Sequence, residues 1–194
     1  MKLLFATKND NKAQEIRAML PSGFQLLSLN DIDFNEEIHE TEPTFEGNAL
    51  LKANTIFQAT GIPCFADDSG LVVDALDGAP GVRSARYAGP AKDDLENNNK
   101  LLSQLAETKH RSAHFKTVIA YVDGSQTVFF HGEIHGSITH EIHGNQGFGY
   151  DPVFIPEGWN RTFAEATKEE KNQVSHRAIA FQQLLTFLNT VNKK

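Results

Sequence analysis

The chain has 194 residues, 40% hydrophobic and 22% charged, and a formal net charge of −7. That is an ordinary globular composition, long enough for one sizeable core in either a two-lobed unit or a single compact layer. The acidic balance argues against a nucleic-acid partner, a lone cysteine excludes an intrachain disulfide, and no run approaches the roughly 18 apolar residues of a membrane span.

Lys2–Ala6 reads as a short buried strand, and the polar loop Thr7-Lys8-Asn9-Asp10-Asn11-Lys12 follows it. Ile16, Met19 and Leu20 then repeat at helical spacing until Pro21-Ser22-Gly23 stops the helix. Phe24–Leu29 is a second strand, and the acidic stretch 30–43 reads as loop. From Thr44 to Thr60 the stripe Phe45, Ala49, Ala53, Ile56 and Phe57 predicts a helix ended by Gly61-Ile62-Pro63. Cys64–Ala66 and Leu71–Asp74 read as two strands flanking Asp67-Asp68-Ser69-Gly70, and Gly78–Gly81 as a turn. Cys64 itself suits a buried strand position better than a reactive thiol. Asp93–Leu105 predicts another helix.

His114–Val122 and Thr127–Ile134 then predict a hairpin about Asp123-Gly124. Gly144–Tyr150 is a glycine-rich loop, Pro152–Ile155 a short strand, and Ser175 the N-cap of a last helix carrying Ala178, Phe181, Leu184, Leu185 and Leu188. Strands alternate with helices at both ends around a long hairpin, which favours one mixed α/β sheet, residues 1–194 forming a single domain. The opening Met-Lys-Leu-Leu-Phe-Ala-Thr is too short for a signal peptide, and a soluble cytoplasmic protein is the default expectation.

Some segments have the residue types of a site. Thr7–Lys12 lies where a strand hands over to a helix, and helix N-terminal N–H groups plus Lys8 and Lys12 could hold phosphate. It lacks P-loop glycines, and on spacing alone a capped helix start with solvated lysines is the simpler reading. Asp67 and Asp68, adjacent in an extended segment, point to opposite sides, so one can face a site while the other braces a loop. Mg²⁺ needs one or two carboxylates plus phosphate oxygens, and one of Glu36, Glu37, Glu40 and Glu42 could add a second ligand; a plain turn and a solvated acidic face are the simpler alternatives. Gly147-Phe148-Gly149-Tyr150-Asp151 sets two aromatics among glycines, suited to a planar base or to closing a loop on the core. Lys168, Lys171, His176 and Arg177 form a basic cluster, and cations in a helix's first turn oppose its dipole unless something anionic or carbonyl-bearing meets them. His131, His135, His140 and His143 lack the spacing of a helical zinc motif and read as surface-strand residues.

Together, Thr7–Lys12, Thr44–Ala49, Ala66–Leu71, Gly78–Gly81 with Ser84–Tyr87, Gly147–Asp151, and Lys171 with Ser175–Arg177 resemble the inosine/xanthosine triphosphate pyrophosphatase (Ham1-like) family over nearly the whole chain. The resemblance implies a two-lobed α/β fold around a long mixed sheet with flanking helices, an active-site cleft between the lobes, a homodimer and Mg²⁺. It implies hydrolysis of ITP, dITP and XTP to the monophosphate and pyrophosphate, which cleanses the nucleotide pool. By position, Thr7, Lys8, Asn9, Asp10, Asn11 and Lys12 would hold the triphosphate with Lys171. Glu40 and Asp68 would bind metal, Asp68 would also be the general base, and Ser69 would contact substrate. Phe148, Gly149, Tyr150 and Asp151 would frame the base, and His176 and Arg177 would reach its edge. Lys8 departs from the family pattern, which often has a small residue there. The rival readings are a Maf-like pyrophosphatase acting on other altered nucleotides, a nucleotide-binding regulator without hydrolysis, and a phosphatase using Asp68 as nucleophile.

Overall fold

The computed structural model describes residues 2–191. Its elements in chain order are β1 (Lys2–Phe5), α1 (Asp10–Met19), β2 (Gln25–Ser28), α2 (Phe45–Thr60), β3 (Cys64–Val73), α3 (Asp94–Gln104), β4 (Ser112–Val122), β5 (Thr127–Ile138), β6 (Phe154–Pro156), α4 (Lys168–Val174) and α5 (His176–Val191). The strands form one sheet in the order β2-β1-β3-β4-β5-β6. β1 pairs in parallel with β2 and β3, whereas β5 and β6 are antiparallel, so the sheet is mixed as expected.

The helices start and stop where local chemistry allows. Asn9 caps α1 by accepting from the Lys12 N–H, and Thr44 caps α2 through the Gly47 N–H. Gly61 closes α2 at φ +66°, a left-handed conformation that favours glycine. Asp93 caps α3, and Asp123 closes the β4–β5 turn by accepting from Ser125 and Gln126.

Three expectations are corrected. Asp67-Asp68-Ser69-Gly70 is no turn: β3 runs unbroken through it, because partners distant in sequence satisfy both carboxylates and remove the reason for the chain to turn. The strand expected at Pro152–Ile155 is displaced to Phe154–Pro156, since Asp151–Val153 forms a 3₁₀ turn around Pro152. Residues 168–174 are a helix that the apolar pattern did not reveal, opened by a capping box between Thr167 and Glu170. Ser175 lies between α4 and α5; its N–H closes α4 on the Lys171 carbonyl, and α5 begins at the next residue.

The chain divides into two compact units, Met1–Asp68 with Thr117–Gly132 and Arg177–Lys194, and Ser69–Lys116 with Glu133–His176. The first has a core of Leu3, Phe5, Ile16, Phe65, Phe181 and Leu184, in which Phe5 and Phe65 stack with centroids 4.5 Å apart. The second is built on Leu71, Leu101, Phe115, Val153, Phe154 and Phe163. Cys64 is buried at the start of β3, and burial pushes its thiol up to about 12. Among the described residues no helix is long and apolar enough to cross a membrane.

Candidate active site

In the first unit, β3 presents Asp67 and Asp68 on alternate sides, as an extended chain must. Asp67 Oδ1 accepts from Lys12 Nζ at 2.9 Å, and its Oδ2 accepts from Arg177 Nε at 3.2 Å. The same guanidinium also bonds Glu15. Burial alone would raise the Asp67 carboxyl, but Lys12, Arg177 and Lys52 outweigh it and hold the group far below the ordinary carboxylate range. Burial lowers Lys12, with Asp67 opposing.

Asp68 has different neighbours. Asn48 Nδ2 donates to its Oδ2 at 3.2 Å, and Lys52 Nζ lies 3.7 Å from its Oδ1. Lys52 Nζ also bonds Glu40 Oε1 at 2.6 Å. Burial pushes the Asp68 carboxyl up to about 6; Lys52 and Lys12 pull it down, while Glu40 and Asp67 add to the rise. Lys52 itself is raised: burial works against it, but Asp68, Glu40 and Asp67 prevail. Two neighbouring carboxylates thus have opposite electrostatics. Asp67 is locked as an anion, and Asp68 is poised to exchange a proton near neutrality.

Asn48 and Lys52 are functional candidates that periodicity missed. They are four residues apart on α2 and both buried, in a stretch read for its apolar stripe. A polar pair at helical spacing inside an apolar stripe is the signal that could have found them. Glu15, on α1, is a further residue that no sequence motif singled out, and it meets Arg177. The acidic loop does not by itself single out a glutamate, but Lys52 does, by meeting Glu40.

The Thr7–Lys12 loop separates into distinct roles. Thr7 is buried and accepts from the Asn9 N–H; Asn9 is spent on the α1 cap. Lys8 Nζ bonds the carbonyls of Asn35 and Glu36 at 3.0 and 2.9 Å and so ties down the acidic segment. Asp10 accepts from Asn30, and Asn11 is exposed. Of the two lysines, only Lys12 reaches the β3 carboxylates.

The second unit has a constellation of its own residues. Asp151 is buried, and its Oδ2 accepts from Lys171 Nζ at 2.6 Å and from the Phe148 N–H at 3.0 Å. The Lys171 ammonium lies 4.7 Å from the centroid of the half-buried Phe148 ring. Gly147 sits at φ +74°, and a Cβ there would collide with the Asp151 carboxylate, so only glycine fits. Tyr150 departs from the expected pair of base-facing aromatics. It is a core residue whose hydroxyl donates to the Ser84 carbonyl at 2.9 Å. His176 is buried against Phe115 with rings 4.7 Å apart and nearly parallel, and Ser69 is half-buried on β3.

A sequence model of the Ham1 family matches residues 3–187. The chain belongs to the Ham1 family. It is 52% identical over 188 residues to the dITP/XTP pyrophosphatase of Porphyromonas gingivalis, covering 96% of this chain and 97% of that protein. It is 45% identical to the dITP/XTP pyrophosphatase of Bacillus subtilis, covering 95% and 96%. Among solved structures it is similar to the Staphylococcus aureus Ham1 protein, with TM-score 0.89, 37% identity, and 98% and 99% of the two chains covered. Thus the mixed α/β fold anticipated from the motifs is that of the Ham1 family.

Within this Ham1 chain the residues of the basic cluster expected before the last helix have different surroundings. Lys168 is exposed, Lys171 is bound to Asp151, and Arg177 is 2% exposed with its guanidinium on Asp67 and Glu15 rather than presented to a ligand. The anion that offsets a cation in the first turn of α5 is supplied by the protein itself. Among the described residues no group of three or more His, Cys, Asp or Glu is placed to hold a metal, and His131, His135 and His140 are exposed. Glu40 and Asp68 nevertheless converge on a common positive charge, the Lys52 ammonium, with hard oxygen donors. That donor set fits a magnesium ion that completes its shell with phosphate oxygens and water.

Proposed function

We propose that this chain hydrolyses deaminated purine nucleoside triphosphates, ITP, dITP and XTP, to the nucleoside monophosphate and pyrophosphate. The observation that carries the reading is Asp68, a buried carboxyl raised to about 6 and flanked by Glu40 and Lys52. A general base works best when its pKa lies near the working pH. Water attacks the α-phosphorus, its proton passes to Asp68, the bond to the bridging oxygen breaks, and pyrophosphate leaves. Lys12 and Lys52 offset charge on the phosphates, and Lys8 keeps the segment carrying Glu40 in place.

Charge balance supports Mg²⁺ as cofactor. Lys12, Lys52, Lys171 and Arg177 each already face a carboxylate, so a triphosphate brings negative charge that these side chains cannot offset alone. Glu40 and Asp68 would hold the ion, which when bound would neutralise phosphate charge and stabilise the leaving pyrophosphate. Thr7, Asn9, Asp10 and Asn11 supply the polar loop for the phosphates, and Ser69 follows the base on β3. The purine falls to Phe148, Gly149 and Asp151, with Lys171 and His176 supporting them. The role we assign to Arg177 is to fix Asp67, and through it Lys12. A cytoplasmic homodimer completes the proposal, on family resemblance and on where such nucleotide pools lie.

One assay decides it. The protein is incubated with ITP, XTP, dTTP, GTP and a phosphomonoester, with and without Mg²⁺, and the products are identified. Metal-dependent release of pyrophosphate with IMP or XMP is the expected result. Orthophosphate as first product would overturn the reading, turnover of dTTP alone would favour a Maf-like enzyme, and binding without turnover a regulator.

A further inference from the structure

The segment 147–151 is a short loop with left-handed glycines at 147 and 149, φ +74° and +63°. Such residues are soft about their torsions, and a loop that discriminates between bases has to be held still. Part of the restraint is internal: the Phe148 N–H is held by Asp151 Oδ2, and the Phe148 carbonyl by the Asp151 N–H at 3.3 Å. The Gly149 peptide groups are held from α3 instead. Asp94 Oδ2 accepts from the Gly149 N–H at 2.7 Å, and Asn98 Nδ2 donates to the Gly149 carbonyl at 2.8 Å. Asn98 Nδ2 also donates to the Asp94 carbonyl at 2.8 Å, which links the two restraints. Asp94 and Asn98 are one helical turn apart, so they meet the donor and the acceptor of one glycine residue.

Asn98 is 2% exposed, and its Oδ1 has no hydrogen-bond partner among the described residues. Its two donors account for an amide at this position: no residue of similar size places two N–H bonds there without a charge.

We propose that Asp94 and Asn98 are positioning residues for base discrimination. They clamp both faces of Gly149 so that the Phe148 ring beside it, over Lys171, keeps one orientation toward a purine. This rests on the reading that the 147–151 loop meets the base. Neither α3 residue is asked to touch substrate; both act through Gly149.

The test uses the ratio of kcat/KM for ITP to that for ribose 5-triphosphate, which carries the same phosphates without a base. Losing one such hydrogen bond is expected to lower this ratio about tenfold in Asn98→Ala and in Asp94→Ala, mainly through KM for ITP. Asp94→Asn keeps an acceptor oxygen at the same place and should retain the wild-type ratio. Asp94 is itself exposed at the start of α3, so its variants test the clamp even if Asn98→Ala folds poorly. A wild-type ratio in Asp94→Ala, or equal losses on both substrates, overturns the proposal. A wild-type enzyme that does not prefer ITP over ribose 5-triphosphate would instead refute the base-loop reading, and the clamp with it.

Discussion

Asp67 and Asp68 differ in neither residue type nor burial, yet they should respond oppositely to pH and mutation. The folded state raises Asp68 from an ordinary value of about 4 to about 6, so it holds its proton more tightly folded than unfolded. That contribution favours folding at low pH and is lost as pH rises from about 4 through 6. Above 6 the ionised carboxylate costs about 3 kcal/mol, given 1.36 kcal/mol per pKa unit. Without metal, Asp68→Asn should therefore melt higher than the wild type at pH 8, with the gap closing toward pH 4, while losing most turnover and keeping nucleotide binding. Unchanged turnover would remove Asp68 from the chemistry. Asp67 carries the opposite sign. Its folded value is depressed, so its contribution is present above about pH 4 and fades as pH falls through the folded value. Arg177→Ala would leave the buried Asp67 and the partly buried Glu15 without their guanidinium and should destabilise by about 3–5 kcal/mol. Its residual activity should fall alike on every nucleotide; a selective loss of preference for ITP over GTP would return Arg177 to the base edge.

Elements were legible to the extent that their reasons were local. The alternation of Asp67 and Asp68 follows from the geometry of an extended chain, so their division of roles could be read in advance. Their partners could not, because Lys12 is 55 residues from Asp67 and Arg177 is 110 residues away. The same long-range bonds explain why β3 crosses a tetrapeptide with good turn chemistry: local propensity is overridden when tertiary partners satisfy the polar groups. α4 escaped detection because seven residues with one buried member carry no apolar stripe. Only its capping box announces it, and that box gives a direct test. Thr167→Ala should cost about 1 kcal/mol and speed hydrogen exchange over 168–174, the segment that carries Lys171. An unchanged exchange rate there would mean that tertiary packing alone holds α4.

For the molecule as a whole, a net charge of −7 has to be reconciled with a polyanionic substrate. The cations near the β3 carboxylates are already matched, so affinity for a triphosphate should depend on the divalent ion more than on ionic strength. A non-hydrolysable imidotriphosphate analogue of ITP should raise Tm with Mg²⁺, corresponding to about 2.7 kcal/mol at a hundredfold excess over Kd, and raise it far less with chelator. Equal shifts in both conditions would remove the need for a metal. Composition marked an ordinary globular chain and the alternation of strands and helices marked the α/β class, but this dependence stayed hidden, since it follows from which charges meet.

The single strand that holds both aspartates also constrains how the gene can change. On β3 the side chains alternate, so one codon inserted or lost between Cys64 and Asp67 would exchange what the two carboxylates face. The proton-exchanging group would land among Lys12 and Arg177, and the locked anion beside Glu40. Insertions of that kind should be absent from active descendants of this chain, while the irregular stretch 30–39 can vary in length as long as Glu40 still meets Lys52. Parity along this stretch, together with the two carboxylates themselves, is what inheritance has to preserve.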